Sequence, residues 1–355
     1  MVGSATEDRG DAIRAAFAEQ AHWCVRMGSP FTALLCAVIG TRVDGSSRIG
    51  AELLAWTGDP SPWADGLPLR LCGGLHALAR SGTAPDLAAL YPPNELPDSD
   101  TLWSAVGQHL RGSTADLAPW LQSPPQTNEV GRSAALMGGL AVIASRFQLP
   151  MALHELGASA GLNLLLDHFA FDLGGRRFGD PGSRLMIRPD WTGGPPPAAE
   201  VKVASRAGVD RAPTDPVAEG DRLLAYVWAD QAERIAQLEA ALAIAAVHPP
   251  PVERADAADW VEAHVPVAGA AGLTRVILHS IAWQYFSEDS KERITARMEA
   301  AGAAATTDAP VAWLRFERNA DDREVSLRLR LWPHGEDRLL GYCHPHARWI
   351  DWRLG

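Results

Sequence analysis

"PMALHELGASAGLNLLLDHF", residues 150–169, decides how this chain is read. Its first part, Met151 to Leu156, is a short apolar run interrupted by Glu155, which is the pattern of a buried strand. Gly157-Ala158-Ser159-Ala160-Gly161 follows, five small residues with glycine at both ends. Glycine has no Cβ, so both ends can turn sharply and allow another group close to the backbone. From Leu162 the apolar spacing predicts a helix, "GLNLLLDHFAF". Strand, tight turn and helix make the leading unit of an α/β sheet.

Upstream, the signals from residue 11 to about 147 are helical, from "DAIRAAFAEQAHWCVRM" to "TNEVGRSAALMGGLAVIASRF", with no convincing strand before residue 150. The Pro-rich "QSPPQ" at 122–126 is the natural joint. Downstream the texture alternates. "EVKVASRAGVD", "VERADAADW", "TRVILHS" and "APVAWLRFER" read as strands with helices between them. "EVSLRLRLWPHGEDRLLGYCH" reads as a hairpin, and the Gly- and Pro-rich 171–198 as one or two inserted hairpins. "DRLLAYVWADQAERIAQLEAALAIAA" is a helical stripe with a break near Ala229-Asp230. The expected fold is therefore α/β and Rossmann-like: a mainly parallel sheet with a terminal antiparallel hairpin over 127–355, preceded by an all-helical cap region over 1–126.

Composition narrows the function classes. The chain has 355 residues, 47% of them hydrophobic, enough for a large core. A net charge of -11 and the lack of a long basic run argue against nucleic acid as partner. No apolar run approaches the ~18–20 residues of a membrane span, and the polar start lacks a signal-peptide pattern, so a cytoplasmic location is expected. Cys24, Cys36, Cys72 and Cys343 match no zinc spacing and read as reduced core thiols. His344 and His346 lack a visible third ligand, so no metal is expected. The oligomeric state is not legible.

Two chemistries claim the turn. G-x-S-x-G is the pattern of a nucleophile elbow, with Ser159 as nucleophile and His344 or His346 as base. Against it stand the long helical stretch before the first strand, the lack of an upstream oxyanion loop and the closing hairpin. An acidic residue followed by a small-residue loop also fits a nucleotide cradle: Gly157 and Gly161 permit approach, while Ala158, Ser159 and Asn163 line the turn. Glu155 at the strand end would hold polar groups of the loop or a ligand's amino group. The bland alternative is that small residues merely allow tight packing. Asn128, Glu129 and Arg132, just before the first strand, either border a pocket or form a helix cap with a surface ion pair. Most of the 13 tryptophans are expected in the core, with Trp228, Trp260, Trp283 and Trp313 as candidate pocket walls.

"HELGASAGLNLLLDHFAFD", with "PPQTNEVGRSAAL", "GDPGS", "RAGVDRAPTD" and "VWADQAERIAQLEAAL", resembles a bacterial family known by a domain-of-unknown-function label, across most of the chain. More distantly, residues 150–355 resemble class I methyltransferases through Glu155, Gly157, Gly161, Asp256-Ala257 and the closing hairpin. Ser159, where that fold usually has glycine, and the long insertion depart from its pattern. The second resemblance implies S-adenosylmethionine as cofactor and a small-molecule methyl acceptor. It implies an acid for the ribose at the second strand's end, Asp210 or Asp230, with Asp210 preferred. It implies Asp256-Ala257 beside the adenine, and substrate-facing residues after the fourth strand: His279 as base and Tyr285 as orienter, with Ser280, Trp283 and Gln284 nearby. The helical region would then cover the substrate. A non-catalytic nucleotide-binding or scaffold protein is the remaining alternative.

Overall fold

A computed structural model describes residues 2–318 and 324–354, without the side chains of 2–8. The chain divides into two compact units: residues 1–127 with 220–235, and residues 128–219 with 236–355. The first unit ends just past the Pro-rich stretch at 122–126 and also takes back a segment from the second half of the chain.

The first unit contains α1 (Val2–Arg26), α2 (Pro30–Arg42), α3 (Arg48–Leu54), α4 (Leu67–Arg80), α5 (Pro85–Ala88), α6 (Ser99–Gly112) and α7 (Thr114–Gln122). Its apolar core is built around Phe17, Phe31, Ile39, Leu71, Leu102 and Leu117. Helix starts are fixed locally. Asp98 accepts from the backbone N–H of Asp100 and Thr101, and Ser47 accepts from Gly50, each satisfying orphan first-turn donors.

The second unit starts with a short 3-10 turn at Val130–Arg132, and α8 (Ser133–Phe147) follows it, so the helix begins later than Thr127. Then come β1 (Met151–Leu156), β2 (Ala170–Leu173), β3 (Arg176–Gly179), β4 (Met186–Ile187), β5 (Asp190–Thr192) and β6 (Val203–Asp210). The helix α9 (Gly220–Tyr226) belongs to the first unit, and α10 (Ala232–Ala245) begins there. The remaining elements are β7 (Val252–Arg254), α11 (Ala257–His264), β8 (Thr274–Ser280), α12 (Glu288–Ala303), β9 (Val311–Arg318), β10 (Val325–Trp332), β11 (Glu336–Cys343) and β12 (Trp349–Trp352). The break near Ala229-Asp230 separates α9 from α10 as expected.

Nine strands form one sheet in the order β5-β12-β11-β10-β9-β8-β1-β6-β7. The run from β7 to β9 is parallel, and β9, β10, β11 and β12 pair antiparallel. The fold is therefore α/β with a large, mainly parallel sheet that continues into an antiparallel hairpin. β8 is buried along its whole length, as expected for a strand inside a parallel sheet. Neighbouring residues of a strand point to opposite faces, and β9 shows what covers each. A Cβ on Gly139 of α8 would press on Leu314. The adjacent Trp313 lies instead in a cluster with Trp260 of α11 and Met298 of α12. Helices thus cover both faces of the sheet.

The 171–198 insertion is more than a hairpin. β2 and β3 do form one, but β4 pairs parallel with β2, and β5 leaves to pair with β12 at the edge of the main sheet. The helix expected from Leu162 is also corrected. Leu162–His168 is a seven-residue 3-10 helix, and the chain passes from it straight into β2.

Candidate functional site

β1 lies between β6 and β8, and chain order reverses there: β6 and β7 extend the sheet on one side, β8 and β9 on the other. In an open α/β sheet such a switch point leaves a crevice at the carboxyl ends of the strands. Glu155 sits in this position, one residue from the end of β1, level with Gly208 of β6 and Leu278 of β8.

The turn after β1 is strained and tied down. Gly157, Ser159 and Gly161 all have positive φ, at 68°, 54° and 73°. The first and last suit glycine; Ser159 holds a conformation that costs an L-residue roughly 1–2 kcal/mol. Most of the turn's amides are claimed by the protein. Gly157 and Ala158 donate to the Val209 carbonyl at 2.9 and 3.0 Å. Ser159 N–H donates to Asp210 Oδ2 at 2.8 Å, and Leu162 N–H to Asn128 Oδ1 at 2.8 Å. Asp210 also accepts from Ala212 N–H, at 2.9 Å through Oδ1. Asp210 and Asn128 therefore clasp the two ends of the bend. The space above the glycines is filled as well. A Cβ on Gly157 would come 2.6 Å from Ala282 Cβ, and one on Gly161 2.6 Å from Val252 Cγ2. The glycines serve close packing and left-handed backbone. The open approach that the sequence suggested is not their geometry.

What the turn does offer is side-chain polarity. Glu155 Oε2, Ser159 Oγ and Asn163 Oδ1 are buried and have no hydrogen-bond partner among the described residues. Glu155 and Asn163 are each 1% exposed and Ser159 7%. Burial pushes the Glu155 carboxyl up to about 8; the nearby Asp210 adds to this, while Asn163 and Arg132 oppose it. Arg132 donates to Ser280 O at the end of β8, at 2.9 Å, and to Pro345 O in the turn between β11 and β12, at 3.0 Å. Asn128 and Glu129, polar residues ahead of an apolar helix, are buried, and Glu129 caps the short 3-10 turn, its side chain accepting from Gly131 N–H at 3.4 Å.

The remaining candidates lie elsewhere or are already engaged. His279 is buried, with Nδ1 2.7 Å from Glu317 Oε1 and Nε2 3.1 Å from Trp313 Nε1. An indole N–H can only donate, so Nε2 accepts and Nδ1 carries the proton toward Glu317. Both nitrogens are used, and the ring stacks on Trp283 at 5.1 Å. This arrangement holds the segment after β8 and leaves no free base: Glu317 Oε1 also accepts from Ala282 and Trp283 N–H at 3.0 and 3.2 Å. Tyr285 is 67% exposed. Asp256 caps α11, accepting from Ala258 N–H at 2.8 Å, and Ser290 Oγ lies 3.3 Å from both of its oxygens. Ala257 is a core residue. Trp260 and Trp313 are buried in the same cluster.

Asp230 belongs to the first unit. It accepts from Ser29 Oγ, and from Phe31 N–H at 2.7 Å, at the start of α2. Of the two ribose candidates, only Asp210 borders the turn. Asp230→Ala is expected to lower the stability of the helical unit by about 1–2 kcal/mol, as for a lost N-cap, and to leave any ligand affinity of the second unit unchanged. Urea unfolding and calorimetric titration check the two halves of this expectation.

No helix among the described residues is long and apolar enough to cross a membrane. Among curated proteins, no match to the chain is found. A family model described as an uncharacterized protein conserved in bacteria, DUF2332, matches residues 14–352. Because that match takes in nearly the whole sequence, the chain belongs to the DUF2332 family.

Proposed function

We propose that the second unit is methyltransferase-like, binds S-adenosylmethionine and passes its methyl group to a small molecule. The observation that carries this reading is the polar cluster at the switch point: Glu155, Ser159 and Asn163, each with an unpaired buried atom, beside Asp210 at the end of the neighbouring strand. The parallel order β7-β6-β1-β8-β9, with an acid ending β6, supports the Rossmann-like assignment. The residues fit the cofactor through side chains. Glu155, once its proton is lost near pH 8, and the Asn163 carbonyl accept hydrogen bonds and suit an amino group. The blocked glycine faces leave less of the contact to bare backbone.

S-adenosylmethionine supplies an electrophilic methyl group, and its transfer depends chiefly on holding donor and acceptor in line. His279 then acts as a positioning residue through Glu317, and the acceptor is one that loses its proton readily or needs none removed. Isothermal titration calorimetry should give saturable heat with S-adenosylmethionine at the wild-type protein. Folded protein without heat would refute the reading, and binding without methyl transfer to any acceptor would favour a scaffold.

One observation favours a second reading. Ser159 in G-x-S-x-G has a φ of 54°, the strained backbone of an elbow nucleophile. Its Oγ meets no imidazole among the described residues. Covalent labelling of Ser159 by a fluorophosphonate would restore the hydrolase.

A further inference from the structure

The helical unit buries three reduced cysteines, Cys24 on α1, Cys36 on α2 and Cys72 on α4. Cys36 Sγ lies 3.6 Å from Cys72 Sγ, in hydrogen-bond contact, although the two residues are 36 positions apart. A disulfide holds its sulfurs at about 2.05 Å, so the pair is a short approach away from a bond between two helices. The three thiols are not equivalent. Cys24 is fully buried, and its sulfur accepts from Gln20 Nε2 at 3.4 Å. Cys36 is equally buried; hydrogen bonds with Cys24 and Cys72, and then burial, raise its pKa well above the ordinary value. It therefore keeps its proton and is the donor to the Cys72 sulfur. Cys72 is 6% exposed, where the other two are 0%. It lines a small cavity with His76 and Tyr91 whose free space is about 20 Å³, room for one molecule near the size of water.

We propose that Cys36 and Cys72 form a redox modification site, closed to a disulfide by hydrogen peroxide and shielded from bulky disulfides. The Cys72 sulfur attacks one peroxide oxygen and the O–O bond breaks. The departing hydroxide takes the thiol proton and leaves as water, giving Cys72 sulfenic acid. The Cys36 sulfur then displaces the sulfenic hydroxyl: the S–S bond forms, the S–O bond breaks, and the hydroxyl leaves as water with the Cys36 proton. The two sulfurs together lose two electrons, and one peroxide becomes two waters. Burial keeps the first step slow, while contact between the sulfurs favours the second. Selectivity follows from size, because thiol–disulfide exchange also depends on access to the sulfur, and the space beside Cys72 is far too small for glutathione. The proposal does not rest on methyl transfer, whose candidate residues belong to the other unit.

The test incubates folded, full-length protein with hydrogen peroxide or with oxidised glutathione and reads the products by intact mass and peptide mapping. Peroxide should remove two hydrogens and give a linked Cys36–Cys72 peptide, which dithiothreitol returns to two thiols. Oxidised glutathione should leave the mass unchanged. The linked protein should melt higher than the reduced one, because a cross-link across 36 positions restrains the unfolded chain. In Cys36→Ala, peroxide with dimedone should label Cys72 as its sulfenic adduct; the wild-type mapping stands whether or not this variant folds. No linked peptide from the folded protein, under conditions in which peroxide oxidises its urea-unfolded form, would overturn the proposal. So would a link through Cys24 or Cys343, or a glutathione adduct on Cys72.

Discussion

Gly157→Ala is expected to destabilise the second unit by about 2–5 kcal/mol, a large effect for one methyl group. Two costs combine. The φ of 68° at Gly157 is unfavourable for any residue with a Cβ. The new methyl would also lie 2.6 Å from the Ala282 Cβ, an overpacking that typically costs 1–3 kcal/mol. Ala282 has little freedom to retreat, because its N–H is held by Glu317 at 3.0 Å and Ile281 before it already has a φ of 50°. Adding Ala282→Gly should relieve the collision and leave the backbone cost, recovering about half of the loss. Equilibrium unfolding of the single and double variants measures both parts. A single-variant cost below about 1 kcal/mol, or no recovery in the double variant, would remove the close approach from the account. The same contact means that bulky substitutions at Gly157 test folding before they test ligand binding.

Much of the frame was legible in the sequence because local patterns are enough to produce it. Short, mostly apolar runs bounded by turns mark β1 and β8, and alternation around "PHGED" marks the β10–β11 hairpin. Elements whose identity depends on a distant partner were not legible. Leu162–His168 has helical spacing, yet Phe169 turns extended so that Ala170 can begin β2 against β3, and the segment is confined to a 3-10 helix. β5 is three residues long and is defined by its pairing with β12, across more than 150 positions, roughly the separation of Asp190 and Trp349.

Site residues divide in the same way. Glu155 and the small-residue turn stand out because an acid and two glycines interrupt an apolar run. Asp210 and Asp230 look alike as acids before a turn. Only the three-dimensional partner separates them: the Ser159 amide for one, the start of α2 for the other. Arg132 and Asn128 carried a weak signal, polar residues ahead of an apolar helix, and the carbonyls and amide they bind lie 34 or more positions away. His279 at a strand end suggested a base, and no local pattern foretold that Glu317 and Trp313 would occupy both of its nitrogens.

Glu155→Gln should separate stability from function most sharply. The folded carboxyl titrates at about 8, above its ordinary 4.5, chiefly because burial penalises the charged form. Between those values the native state binds a proton that the unfolded chain has lost. The group's contribution is therefore fully present below about pH 4.5 and is lost as pH rises through 8. Glutamine is neutral throughout and lacks this slope. The variant should match wild type near pH 5 and exceed it by on the order of 3–5 kcal/mol near pH 9. His154, whose pKa burial depresses to about 4, acts on the other limb: its contribution fades as pH falls from 6.5 through 4, in both proteins alike. Urea unfolding at pH 5, 7 and 9 reads the difference, and parallel profiles would show that Glu155 is not a suppressed acid. If the carboxylate receives an amino group, the better-folded variant should bind S-adenosylmethionine at least tenfold more weakly at pH 8. A residue kept at a cost to stability and needed for affinity is what a binding site requires; a variant that gains stability and loses no affinity would make Glu155 a buried acid without a ligand role.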